Sequence, residues 1–255
     1  MPADLTMSTV QYAVAGAAIA SATLAIVAYR DYSAYCALGD HGLPANFSGW
    51  CTQLKFTRNS RKDTTVPAPY DLAAAAAAAG PRSTESFLLP AGGSLPPRDG
   101  ARPRIPGFTA PQRQVTDTAS PAMKARMYAH LEALTKANAK LLQYELSTLE
   151  GPVPALQLHK DQAAARPKHL HRTRGELAHI HPPDGSTHLV LSLADSRRII
   201  ETGWGQRHRL SGTMLGWGYT LFYAPRNEDE FQLWKSVVAA AAKYACADLG
   251  QVQLV

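Results

Sequence analysis

At 255 residues and 45% hydrophobic, the chain is large enough to bury a real core, and Cys36, Cys51 and Cys246 show no Cys-x-x-Cys spacing. That excludes a disulfide framework or a cysteine zinc site and points to a reducing compartment. The net charge of +6 would suit an acidic partner, but the basic residues lie in short scattered groups without a nucleic-acid motif, so nucleic acid is not an expected partner.

Residues 7–29 contain no charged side chain, and about 20 apolar residues suffice to cross a bilayer. No Lys or Arg precedes Arg30, unlike the basic start of a signal peptide, so residues 1–30 are expected to form an uncleaved membrane anchor; a buried Ala-rich helix is the alternative. Arg30, Lys55, Arg58, Arg61 and Lys62 follow it, and the positive-inside rule then leaves the rest of the chain in the cytosol, as for a single-pass protein of the endoplasmic reticulum. In that orientation the sequon Asn46-Phe47-Ser48 is fortuitous.

Residues 31–119 read as an irregular Pro/Ala/Gly-rich lead-in that either wraps the domain or stays mobile. It has one short helix, from Asp71 through the alanines to Gly80-Pro81, with little to bury. Pro90, Pro96, Pro97, Pro103, Pro106 and Pro111 bar longer elements.

Residues 120–255 read as the catalytic domain. Ser120-Pro121 starts a helix that the spacing of Met123, Met127, Leu131, Leu134, Leu141 and Leu142 extends to about residue 149. Strands are expected at 153–158, 188–193 and 219–223. Asn227, with Glu230 three residues on, starts a last helix whose apolar face is Phe231, Trp234, Val237, Val238 and Ala241. The fold class is α+β: a small, mainly antiparallel sheet packed with helices, behind an N-terminal transmembrane helix.

His169, His171, His179, His181, His188 and His208 crowd into residues 169–208 of a chain with 9 His. His179 and His181 on an extended segment point to one face, and His188 joins them if the intervening Pro182-Pro183-Asp184-Gly185 turns a hairpin; Glu176 contributes from its start. Three readings stay open. His179, His181 and His188 are candidate metal ligands for iron, zinc or copper, or bases for an acidic enol proton, or structural caps. Gly203-Trp204-Gly205-Gln206-Arg207-His208 offers an aromatic face, an amide, a cation and an imidazole for a flat conjugated ligand, or else a surface turn. Tyr223 and Arg226, before the last helix, are further substrate-binding candidates, Arg226 for an anionic group. Nucleophile-elbow, P-loop and dinucleotide fingerprints are missing.

Glu176-Leu177-Ala178-His179-Ile180-His181, Thr187-His188-Leu189, Gly203-Trp204-Gly205-Gln206-Arg207-His208 and Tyr223-Ala224-Pro225-Arg226-Asn227-Glu228 together resemble the fungal luciferase family. Weaker matches, Arg30-Asp31-Tyr32, Asn46-Phe47, Gly100-Ala101-Arg102-Pro103 and Gln112-Arg113-Gln114, lie in the same order. The resemblance implies a membrane-anchored oxygenase that adds molecular oxygen to 3-hydroxyhispidin, a styryl α-pyrone; the endoperoxide loses carbon dioxide and leaves an excited product that emits light. It implies oxygen as co-substrate, no nicotinamide or flavin and no required cofactor, with the metal left open. His179, His181, His188 and His208 are then the catalytic candidates, and Glu176, Trp204, Gln206, Arg207, Tyr223 and Arg226 the substrate-binding ones. Pro182-Pro183-Asp184-Gly185 departs from the more His-rich and acidic stretch of the luciferases, and the run of alanines at 73–79 is particular to this chain. The alternative is a non-luminescent relative, either an enzyme on another secondary metabolite or a membrane-tethered binding module for a flat aromatic ligand.

Overall fold

The computed structural model describes residues 8–39, 42–67, 71–88 and 93–255. Met7 and Pro90, counted above in the apolar segment and the proline series, lie outside them. Helix α1 (Thr9–Cys36) begins with a capping box in which Ser8 and Gln11 each bond the other's backbone N–H. It is long and apolar enough to cross a membrane. Val10, Ile19, Leu24 and Val27 are exposed along it, and its one buried residue is Tyr35, near the end. The Tyr35 ring meets Phe108 edge-on at 5.7 Å and its hydroxyl donates to the Pro44 carbonyl at 3.0 Å, joining the base of the helix to the folded body. Helix α2 (Phe47–Thr57) follows, with the sequon residue Asn46 as its N-cap, accepting from Gly49 N–H at 3.1 Å.

Helix α3 (Leu72–Ala79) is the short alanine helix, capped by Asp71. Contrary to expectation it has something to bury: Ala75 and Ala79 pack against Leu193. Helix α4 (Pro121–Ala137), capped by Ser120, stops well before residue 149. Asn138 ends it, its amide donating to the carbonyls of Leu134 and Gln253 at 2.8 Å each. The chain then turns into strand β1 (Leu142–Leu146). Leu141 and Leu142 satisfy the helical spacing from Leu134, but Asn138 folds its side-chain amide back onto the Leu134 carbonyl. The N–H groups of Leu141 and Leu142 both bond the Asn138 carbonyl, which closes a turn instead of continuing the helix.

Strands β2 (Pro154–Leu158), β3 (Glu176–Ile180) and β4 (Thr187–Val190) continue the sheet. Helix α5 (Leu193–Glu201), strands β5 (Gly205–Arg207) and β6 (Tyr219–Phe222) and helix α6 (Glu228–Cys246) complete it. The strand order is β1-β2-β3-β4-β6-β5, and every neighbouring pair is antiparallel. The fold is therefore α+β, as expected. Register assigns one face to Leu156, Ala178, Leu189 and Thr220 with Thr187 and Phe222, and the other to Ala155, His179, His188 and Leu221. Helices α4 and α6 cover the first: Met127, Leu131, Trp234, Val237 and Val238 are fully buried there, and Trp234 Nε1 donates to Thr187 Oγ1 at 2.9 Å. Segments of the lead-in lie against the second.

Candidate active site

The β3–β4 hairpin sets His179 directly opposite His188. The Pro182-Pro183-Asp184-Gly185 turn that closes it needs its glycine: Gly185 has φ +80°, and a Cβ there would lie 2.6 Å from Ala119 Cβ. Asp184 ties the turn to the lead-in, accepting from Gln114 N–H at 2.7 Å and from Ser186 Oγ at 2.8 Å. A β-bulge in β3 pairs Ala178 with Leu156 and Glu176 with Gln157, leaving Leu177 extra. That bulge re-aims the Glu176 carboxylate onto the histidine face.

The result is a buried network. Glu176 Oε1 meets His179 Nδ1 at 2.5 Å, and Glu176 Oε2 accepts from Ser147 Oγ at 2.8 Å and Thr148 N–H at 2.9 Å. His188 Nδ1 lies 3.1 Å from His181 Nε2 and 3.3 Å from His179 Nε2. His181 Nδ1 meets Ser186 Oγ at 2.8 Å, and His188 Nε2 meets Gln112 Oε1 at 3.3 Å. Tyr219 stacks on the His188 ring with centroids 5.0 Å apart, and His208 meets it edge-on at 4.9 Å.

Burial disfavours the charged form of each of these groups, and the neighbours decide which overcome it. Burial lowers the proton affinity of His179, but the hydrogen bond and charge of Glu176 outweigh it, so its pKa is raised. Burial likewise raises Glu176, and His179 reverses that, leaving the carboxyl below its usual range. His188 is held well below the ordinary value by burial and then by the other histidines. Burial, with His179 and Arg209, pushes His208 down to about 3. Burial pushes Asp184 up to about 6 despite its hydrogen bonds, and Tyr219 well above 10. The site thus offers one proton-loving imidazole, His179, braced by a carboxylate, beside two that stay neutral.

A cavity of about 350 Å³ opens on this network. His179, His188, His208 and Tyr219 line it with Gln112, Glu150 and Arg172, and Leu43, Phe56, Leu210, Met214 and Leu215 supply apolar walls. Its size and mixed lining fit a small flat ligand, since such pockets run from about 300 to 1,000 Å³. A second cavity of about 370 Å³ shares Arg172, Leu215 and Tyr219 and holds His169 and His171, but none of the converging imidazoles.

The other residues singled out in the sequence lie elsewhere. His181 sits behind His179 and His188, fully buried and outside the cavity lining. Trp204 stacks on Phe222 and donates Nε1–H to the Pro96 carbonyl at 2.7 Å. Arg207 is buried, its guanidinium donating to the carbonyls of Val66 at 2.8 Å and Asp63 at 2.7 Å. Gln206 accepts from the Tyr223 hydroxyl at 3.2 Å, and Arg226 pairs with Glu230 and donates to the Asp99 carbonyl at 2.9 Å. None of these five lines the histidine cavity. The last helix packs on the opposite face of the sheet and takes no part in the cavity.

A luciferase domain model matches residues 174–241, which run from the start of β3 into α6. The luciferase of Armillaria mellea is 30% identical over 257 residues, covering 92% of this chain and 89% of that protein. The chain belongs to the fungal luciferase family. The luciferase of Neonothopanus nambi is 27% identical, covering 91% and 86% of the two chains, and that of Armillaria gallica 29%, covering 86% and 82%. No solved structure matches the chain.

In this fungal luciferase relative the matched segment supplies the histidines, but not all that holds them. Gln112, Arg113 and Gln114, from the lead-in, are all buried: Gln112 meets His188, Arg113 forms a buried ion pair with Glu150, and Gln114 accepts from Ala224 N–H at 2.9 Å. Tyr219 and Glu150 also escaped sequence reasoning. The only sequence signal for the lead-in residues was the Gln112-Arg113-Gln114 match, because their partners are up to 110 positions away.

Proposed function

We propose that the protein is a luciferase-like oxygenase that adds molecular oxygen to a hydroxylated α-pyrone of the 3-hydroxyhispidin type, with loss of carbon dioxide and light emission. The observation that carries this reading is His179 on the wall of a cavity of suitable size, braced from behind by the Glu176 carboxylate, in a chain of this family. The enol proton of the bound pyrone passes to His179 Nε2, and the imidazolium is stabilised by Glu176 through Nδ1–H. The enolate left behind is electron-rich enough to give an electron to oxygen. Carbon–oxygen bonds then form to both oxygen atoms, and the endoperoxide breaks its O–O bond as carbon dioxide departs. Neutral His188 and His208 line the site without competing for the proton, Tyr219 offers an aromatic face, and the Arg172 guanidinium supplies a cation at the rim. Neither nicotinamide nor flavin takes part in this sequence of steps.

The same reading makes α1 a single-pass anchor, with the folded body facing the cytosol at the endoplasmic reticulum membrane. Leu43 and Phe56, which follow the anchor directly, line the cavity, so an apolar substrate would reach it close to the bilayer surface. The deciding experiment mixes detergent-solubilised protein with 3-hydroxyhispidin in air and records light and oxygen uptake together. Both signals above a His179→Ala control support the reading. Oxygen uptake without light identifies a non-luminescent oxygenase, and neither signal, with ligand still raising the melting temperature, identifies a binding module.

A further inference from the structure

Each histidine of the central trio has one ring nitrogen engaged by an oxygen on the outside of the cluster. His179 Nδ1–H donates to Glu176, which Ser147 and Thr148 hold in place. His188 Nε2–H donates to Gln112 Oε1; the amide is oriented by its own Nε2–H, which donates to the Arg207 carbonyl at 3.1 Å. His181 Nδ1–H donates to Ser186 Oγ, whose hydroxyl proton is committed to Asp184 Oδ2. These outer bonds fix the tautomers. His179 Nε2, His181 Nε2 and His188 Nδ1 are therefore turned inward with their lone pairs. They converge, with separations of 3.1 and 3.3 Å from His188 Nδ1 and all three within 4.8 Å of one another.

Lone pairs facing one another at that range inside a protein repel unless positive charge lies between them. A shared proton relieves one pair of nitrogens; three converging nitrogens match a metal ion. We propose that His179, His181 and His188 bind one divalent first-row transition ion through these three nitrogens. At metal–nitrogen bonds of about 2.0–2.1 Å, tetrahedral angles put neighbouring nitrogens about 3.3 Å apart, close to the two separations from His188 Nδ1. An all-imidazole set without thiolate suits zinc, cobalt, iron or copper. The carboxylate, amide and hydroxyl on the outer nitrogens are the partners that orient metal-bound histidines. His179 and His188 reach the cavity wall while His181 lies behind them, so the remaining coordination positions face the cavity. The ion would occupy His179 Nε2, the nitrogen that takes the enol proton in the reading above, and would then replace that proton acceptor with a cation that stabilises the enolate directly. Its binding is measurable without turnover, so the site is tested separately from the assigned reaction.

The test uses the full chain purified in detergent without a histidine tag, stripped with chelator and titrated anaerobically with Co²⁺. The expected result is one Co²⁺ per chain with visible d–d absorption, and Zn²⁺ displacing it. His181→Gln, which alters no cavity wall, should weaken binding at least about 100-fold, and His208→Gln, a wall residue outside the trio, less than about threefold. Less than about 0.1 Co²⁺ per wild-type chain overturns the proposal, as does equal weakening by both variants. Should His181→Gln lose its circular-dichroism signature, the decision passes to Gln112→Ala. That change removes only the outer partner of His188: about tenfold weaker Co²⁺ binding supports the site, and unchanged binding overturns it.

Discussion

On the face of the sheet that meets α4 and α6, Leu156, Ala178, Leu189 and Phe222 pack into a dry layer with Met127, Leu131 and Trp234. One residue along the same strands, Glu176, His179 and His188 make the polar centre of a face that also carries Ala155 and Leu221, and they are equally buried. Strand alternation makes both faces, so neighbouring residues in sequence serve opposite ends: Thr187 supports Trp234 while His188 faces the cavity. The dry face draws its stability from area removed from water, whereas each group on the polar face must be matched by a partner because burial without one is costly. The partner of His188, Gln112, comes from the irregular lead-in, as do the groups that hold Asp184 and Glu150, which is why a stretch that looks like a connector is built into the site.

The largest effect should come from breaking the dry face. Trp234→Ala leaves a cavity beneath the sheet and is expected to cost about 3–5 kcal/mol in chemical denaturation. Trp234→Phe keeps the ring volume largely intact and loses the bond to Thr187, at about 1 kcal/mol, with oxygen uptake per folded molecule unchanged. A fall in turnover as steep as that of a His179 variant would mean the two faces are not separable in function.

A smaller effect is expected from pH. His130, against Trp234 on the dry side, and His169, stacked on Tyr244, are each held down to about 4, by burial first and then by the charges of Lys235 and His171 respectively. The unfolded chain takes up these protons near pH 6.5 and the folded chain only near 4, so acidification across that window favours unfolding. The melting temperature should fall as pH drops from about 6.5 towards 4, and fall less in a His130→Asn, His169→Phe double variant. An equally steep fall in that variant would assign the acid sensitivity to other groups.

Much of this arrangement is legible in the sequence, for local reasons. The hairpin over His179 and His188 follows from alternation around Pro182-Pro183-Asp184-Gly185, and the caps at Asp71, Ser120 and Asn227 act within three or four residues. The overlong helix shows the limit: Leu134, Leu141 and Leu142 satisfy helical spacing, and only the distant Gln253 carbonyl, with Leu134, shows where Asn138 ends it. Strand β5 reads as a loop because its three residues carry no period, and its pairing with β6 spans an intervening turn. Histidine crowding overcounts the site as well. His169 stacks on Tyr244 and His171 bonds the Arg166 carbonyl, while the bulge that aims Glu176 has no sequence signature of its own.

The central claim is that the histidine face is where oxygen is added to an enol substrate. Turnover of 3-hydroxyhispidin under ¹⁸O₂, with mass analysis of the organic product and of the carbon dioxide, tests it most directly. The expected result is that both labelled atoms stay in the organic product of the wild type while the carbon dioxide, whose oxygens come from the pyrone lactone, is unlabelled, and that no label is incorporated by a folded His179→Ala variant. Oxygen consumed without label in the organic product, or label unchanged by that substitution, would contradict it.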